Sequence, residues 1–445
     1  MADKDLTESP VRELVRRFFI TFLLGVVVFR LGAHVVIPGV DAEAMRSLLQ
    51  SGKDSGGVGD MVVRWLDMFS GGAIQNSSIF GLGVTPYISA SIIIQLLTFS
   101  IPALKAMQKE GEGGRRRINQ YTRYATLLIC LVQSFIAALA LTHVEVPPGS
   151  PPLVPMAIEH KYAFIATAML VITTGSMVIL WLAEQITKHG IGNGVSIIIA
   201  IGILAYFPNA FTGVGTDLPK FLTIAAVGLC LIAAIVVVVQ AVRRINLEQQ
   251  RRVQGNRVFG GAQTTLPLKI NQANVIPVIF ASPVLIGLGM LAKWDPIAST
   301  GIGQVLDYGS VGHRYIFAGL IIFFTYFYIS ITFDLHDMSN HFKQAGFFVR
   351  GIRPGKNTVD HLQSILARIT FVGAIFLALI AILPEVAGNS MNMRGANLLI
   401  GGTGLLIIVG VALDVMQKVG SFFLAHQYRG MGADGKGGPS GAKRF

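Results

Sequence analysis

His336-Asp337 with His341 gathers side chains able to move a proton in a polar stretch between two apolar runs. Imidazole and carboxylate groups can do general acid–base work. No further catalytic group joins these three into a constellation, and solvated or loop-structuring residues are the simpler reading. Gly351-Ile-Arg-Pro-Gly-Lys356-Asn357 resembles a phosphate-binding loop, but its spacing is wrong and it lacks the Ser or Thr that would hold magnesium. Gly190-Ile-Gly-Asn-Gly194 lacks GxGxxG spacing and follows no strand. The two cysteines, Cys130 and Cys230, both lie in apolar segments, which suits buried small hydrophobes better than a disulfide or a metal site. The sequence therefore indicates no catalytic residue, no metal and no cofactor.

Charge inside the apolar segments is almost as scarce. Glu184 and Asp414 fall near the ends of theirs, where snorkelling or contact with water is expected. Arg30 lies toward one end of the first segment. At a helix centre an arginine costs about 2.5–3.5 kcal/mol on insertion scales, so end placement or a buried partner is expected. An ion-coupled transporter normally needs ionisable groups at mid-membrane. Their scarcity makes a secondary transporter of a small solute the second reading of this chain and a membrane-embedded enzyme the third.

The elements that position these residues are membrane spans. Of 445 residues, 52% are hydrophobic and only 13% charged, a composition outside the soluble globular range. Windows long enough to cross a bilayer fall at about 18–37, 79–101, 121–142, 162–183, 191–210, 221–242, 275–292, 315–333, 369–384 and 397–413. The first is not followed by a small-residue cleavage site, so it reads as a span and not as a signal peptide. Most of the 36 Lys and Arg sit in the N-terminal tail, alternate loops and the C-terminal tail, which places both termini in the cytoplasm and accounts for much of the net charge of +12.

Two of these segments carry proline in the same setting: Val84-Thr-Pro86-Tyr-Ile88 in the second, Val275-Ile-Pro277-Val-Ile279 in the seventh. Gly190–Gly194 opens the fifth, and Gly401-Gly-Thr-Gly404 opens the tenth. Matched interruptions in corresponding spans point to a pathway between repeats. Because five is odd, two five-span halves run through the membrane in opposite senses. The expected fold is thus an all-α integral membrane protein of ten transmembrane helices, arranged as two inverted five-helix halves around a central pore. Its parts are a cytoplasmic N-tail (1–17), a first half (18–210), a second half (211–417) with cytoplasmic loops 243–274 and 334–368, and a Gly-rich cytoplasmic tail (418–445).

The four interrupted segments offer β-branched side chains at helical spacing: Val84 and Ile88, Val195 and Ile199, then Ile279 and Ile407. Residues four apart share a helix face, so each pair suits one constriction, though packing in a core or against lipid would use the same residues. A hydrophobic constriction seals by dewetting and gives no fixed site to a solute. Before the second span, Met61 to Phe69 reads as a short helix between glycine hinges, either a re-entrant segment or a surface helix anchored by Trp65.

Phe80-Gly-Leu-Gly-Val-Thr-Pro-Tyr-Ile-Ser-Ala-Ser-Ile-Ile-Ile-Gln-Leu-Leu97, Gly190-Ile-Gly-Asn-Gly-Val-Ser-Ile-Ile-Ile199, Leu266-Pro-Leu-Lys269, Gly351-Ile-Arg-Pro-Gly355 and Gly401-Gly-Thr403 together resemble the SecY/Sec61-alpha family of protein-translocation channels, over nearly the whole chain. The resemblance implies a passive pore for unfolded polypeptides in the bacterial inner membrane, with Val84, Ile88, Val195, Ile199, Ile279 and Ile407 as its ring. Valine stands at two ring positions where the family often has isoleucine. It implies a plug at 61–70, including Met61, Trp65, Phe69 and Ser70. It also implies a lateral gate for signal sequences at spans two and three against seven and eight. Gln95 and Gln133 are its polar candidates, unless they satisfy neighbouring backbone groups.

Arg251, Arg252, Arg257, Arg353 and Lys356 would dock the SecA motor and ribosomal RNA, with Arg353 foremost, although positive-inside bias alone would supply many of these charges. Asn256 beside Arg257, Arg350 and Lys356 depart from the usual family residues. Implied partners are SecE, SecG, SecA, the ribosome, signal sequences, nascent polypeptides and membrane lipid, with SecDF and YidC beyond them.

Overall fold

The computed structural model describes residues 10–45, 67, 70–143, 153–212, 218–249, 252–254, 257–259, 263–292, 305, 310–353, 355–390 and 402–433. The chain divides into two compact units, residues 1–55, 63–206 and 411–445 in one and 56–62 and 207–410 in the other. Among the described residues, five helical stretches are long and apolar enough to cross a membrane, and a sixth counts if a bent pair is one span.

In the first unit, α1 (Pro10–Phe22) runs through a π-helical stretch (Leu23–Val28) into α2 (Phe29–Gly32). The helix thus begins and ends earlier than the hydropathy window, because the chain turns after Gly32 to pair Val36 with Ser78. Next come α3 (Thr85–Ser100) and the amphipathic α4 (Pro102–Lys109), bent from α3 by 99°. The long α5 (Glu112–His143) and α6 (Pro155–His189) follow. These two pack along a seam of small and polar residues. Ser134 Oγ and Thr173 Oγ1 hydrogen-bond at 2.9 Å, and Arg123 donates from Nε and Nη2 to the two carboxylate oxygens of Glu184 at 2.6 and 2.7 Å. Glu184, expected to snorkel or meet water, is partly accessible and also holds an ion partner. Gly194 opens α7 (Gly194–Thr212) against α6; a Cβ there would overlap the carbonyl oxygen of Ala183.

The second unit contains α8 (Leu218–Gln240), β1 (Val242–Gln249), β2 (Arg252–Gln254), β3 (Arg257–Phe259) and β4 (Gln263–Lys269). After these come α9 (Ile276–Ala292), α10 (Val311–Thr332), α11 (Leu335–Ala345), β5 (Phe347–Val349) and α12 (Lys356–Ser390). The last helix, α13 (Gly402–Ala433), contributes its first turns to this unit and the rest to the first. The side chains of Ser310 and Asp334 cap α10 and α11, each accepting a backbone N–H.

Strands qualify the all-α expectation. A three-stranded antiparallel sheet of order β4-β1-β5 joins the two long loops, with Leu247 opposite both Thr264 and Val349. Ile245 and Leu247 point inward, Arg244 and Asn246 outward, the period-2 alternation of a half-buried strand. The inward residues join Leu268, Val349, Leu362, Ile365 and Ile369 in one core, so the sheet lies on the first turns of α12. Cys130 is buried as expected, whereas Cys230 is exposed on α8, since its helix turns that face outward.

Candidate functional site

The matched prolines do not interrupt helices; they start them. Pro86 is the second residue of α3 and Pro277 the second of α9. A first-turn proline forfeits no helical hydrogen bond, because the N–H it lacks would have no partner there. One backbone bond is common to both: Ile88 N–H donates to Val84 O at 3.1 Å, and Ile279 N–H donates to Val275 O at 3.3 Å. Ile199 is likewise the sixth residue of α7, and Ile407 the sixth of α13.

All six β-branched candidates thus lie within, or one residue before, the first two turns of a helix. Val84, Ile199 and Ile407 are buried, while Ile88, Val195 and Ile279 are half-buried. Val84, Ile88, Val195 and Ile199 belong to the first unit, Ile279 and Ile407 to the second. The two acidic residues near the ends of apolar segments are paired with basic ones. Glu184 binds Arg123, and Asp414 lies 2.9 Å from Lys418.

Met61, Trp65 and Phe69 fall outside the described residues. Ser70 is described and buried, and its Oγ donates to Asp67 O at 3.2 Å. Sequence reading missed Asp67, whose side chain is 1% exposed. Its Oδ1 accepts the backbone N–H groups of Ile74 and Gln75 at 3.0 and 3.1 Å. Burial pushes its carboxyl up to about 6, against the lowering effect of bonds from Gln75 and Ile74. The only sequence signal was an acidic residue four positions before a Gly-Gly pair.

Arg30 has the buried partner expected of it: Nη1 donates to Gly71 O at 2.8 Å. Gly71, at φ +70°, faces the backbone of Gly202 on α7, which leaves no room for a Cβ without displacement.

Gln95 is exposed on α3. Gln133 is half-buried on α5, and its buried Oε1 accepts no hydrogen bond among the described residues. That oxygen therefore does not satisfy a backbone donor. Arg251 is outside the described residues; Arg252 and Arg257 lie in β2 and β3, which pair as a hairpin. Arg353 is exposed on the turn between β5 and α12, Lys356 is exposed as the first residue of α12, and Thr358 Oγ1 donates to the Arg353 carbonyl oxygen at 3.0 Å. Arg350 approaches Glu248 of β1 to 3.7 Å, an exposed contact across the sheet.

Long apolar helices, five of them of span length among the described residues, mark a helical membrane protein. Comparison with known proteins narrows this class. A family model for SecY matches residues 78–416. The chain is 38% identical over 430 residues to the protein translocase subunit SecY of Thermotoga maritima, covering 96% of each. It is 39% identical over 439 residues to that of Escherichia coli, covering 96% of this chain and 95% of the relative. A solved structure of a protein conducting channel superposes with a TM-score of 0.56 at 16% identity, covering 93% of both chains. The chain belongs to the SecY family.

Proposed function

We propose that this chain is the pore-forming subunit of a protein translocase, a passive channel and not an enzyme. It conducts unfolded polypeptides across the bacterial inner membrane and releases hydrophobic segments sideways into lipid. The carrying observation is the repeated helix start, in which Val84-Thr-Pro86-Tyr-Ile88 and Val275-Ile-Pro277-Val-Ile279 each place proline second in the helix and share the bond from the isoleucine N–H to the valine carbonyl, at the head of α3 and α9. Such duplication is what two inverted five-helix halves would produce, and helix starts are where spans break to line a passage.

In this reading both termini are cytoplasmic, Val84, Ile88, Val195, Ile199, Ile279 and Ile407 form the dewetting seal, and residues 61–70 form the plug. Gln95 and Gln133 serve the lateral gate. The basic residues of loops 243–274 and 334–368 meet SecA or the ribosome, which supply the energy, and SecE and SecG complete the membrane complex. SecDF and YidC act on the same chain's cargo. The protein translocase activity named for the curated relatives supports the reading. The test is crosslinking of a stalled secretory chain to single cysteines placed at Ile88, Ile199, Ile279 and Ile407. Adducts are expected at these positions, and failure at all four would remove the pore assignment.

A further inference from the structure

Threonines within the described helices commonly bond back into their own helix. Thr98, Thr122, Thr126, Thr325 and Thr370 each donate to the carbonyl four residues before, a habit that leaves the hydroxyl no other task. Ser339 and Thr358 depart from it. Thr358, the third residue of α12, reaches out of the helix to donate to Arg353 O at 3.0 Å, and Ser339 of α11 donates across the chain to Gly355 O at 3.3 Å. Both side chains are buried, although the turn they hold lies on the surface.

Glycine stands on either side of Ile352-Arg353-Pro354. Gly351 and Gly355 adopt φ +81° and +114°, and a Cβ on either would meet nothing within 4 Å. They serve backbone freedom, not close packing, so the backbone alone does not fix where Arg353 points. Other contacts do. Ile352 N–H donates to Val349 O at 3.0 Å, and its side chain packs on the core that includes Val349 and Leu362. Gly355 O accepts the N–H groups of Thr358 and Val359 at 3.1 and 3.2 Å besides the Ser339 hydroxyl. The carbonyls of Arg353 and Gly355 are thus each tied to a buried hydroxyl, while the Arg353 side chain stays exposed.

We propose that Ser339 and Thr358 are positioning residues for docking, setting the shape of the Arg353 turn before the motor protein arrives so that the guanidinium meets an acidic surface already in place. This rests on the docking role proposed above for Arg353. A loose turn must be ordered when it binds, and one already held avoids that cost. Both hydroxyls bond to backbone carbonyls, so their effect falls on affinity and not on the rate once the motor is bound.

The test is SecA-driven transport into vesicles holding the complete translocase, followed over a range of SecA concentrations. Thr358→Val keeps the side chain's shape and removes the donor. It is expected to raise the SecA concentration for half-maximal transport about fivefold with the maximal rate near the parent's, and Ser339→Ala should act in the same direction. Thr358→Ser, which keeps a donor, should return the parent value. An unchanged half-maximal concentration for both donor-less variants overturns the positioning role. Arg353→Glu in the same series separates the two readings: a raised value there leaves the docking role standing, and an unchanged one removes it as well. A fall in maximal rate alone also overturns the proposal, because it places the hydroxyls in a later step. A double-mutant cycle tells positioning from a general folding defect. In an Arg353→Ala background, Thr358→Val should have no further effect on the half-maximal concentration, since no guanidinium is left to position. A further rise there would show a defect beyond the turn and overturn the proposal.

Discussion

Burial and hydrogen bonding pull in opposite directions on the carboxyl of Asp67, and burial wins, raising it from 3.8 to about 6. A raised acid binds its proton more tightly in the folded protein than in the unfolded chain, so its stabilising contribution is complete below pH 3.8 and is lost as pH rises through about 6. Between pH 5 and pH 7 the loss amounts to about 1 kcal/mol. Thermal unfolding of the purified protein should therefore show stability falling from pH 5 to pH 7 by about that much more in the parent than in Asp67→Asn. Equal pH slopes would contradict the burial of a titrating carboxyl there. Sequence alone gives little warning of this residue, since the partners that define it are backbone amides seven and eight positions on, brought back by a glycine reversal. Arg30, by contrast, announces itself, because a guanidinium in an apolar run requires a partner. Only the partner's identity, the Gly71 carbonyl, needed the structure.

Between elements, α5 and α6 pack through an apolar core that includes Ala138, Phe164, Ala168 and Ile172, and add one ion pair and a short polar seam. The Arg123–Glu184 contact is bidentate but partly exposed, with 45% and 25% of the two side chains accessible. Solvent screening limits it to about 1 kcal/mol. Glu184→Gln is expected to lower thermal stability by about that amount, and the charge-reversed double variant Arg123→Glu/Glu184→Arg should recover more than half of it. A double-mutant cycle with no coupling energy would show that the two helices do not depend on the pair. Hydropathy made the helices legible, since an apolar run of span length leaves few alternatives. It did not reveal where they begin. Pro86 and Pro277 read as interruptions within longer runs, yet the residues before them form turns and the prolines lie in first turns. The sheet stayed hidden for a different reason. In Val242–Gln249 the inward Ile245 and Leu247 are surrounded by Arg243, Arg244 and Glu248, so charge masks a strand's alternation.

For the molecule as a whole, on the proposed channel reading the energy for transport comes from outside the chain, and the exposed segment carrying Arg350 and Arg353 on the turn and Lys356 at the start of α12 is the surface proposed to receive it. Arg353→Glu should reduce SecA-driven transport about tenfold, as reversal of a docking charge does, while the complex assembles normally. Unchanged transport in reconstituted vesicles would dismiss that contact. The turn is not an independent appendage: β5 pairs with β1, and both rest with β4 on the core at the head of α12. Surface loops ordinarily gain and lose residues freely over evolution. Here one residue inserted into β1 would shift its pairing and turn the positions of Ile245 and Leu247 to the opposite face. Lineages of this protein should therefore keep a constant length through β1, β4 and β5, and confine insertions and deletions to the connection beyond Gln249 and before Gln263.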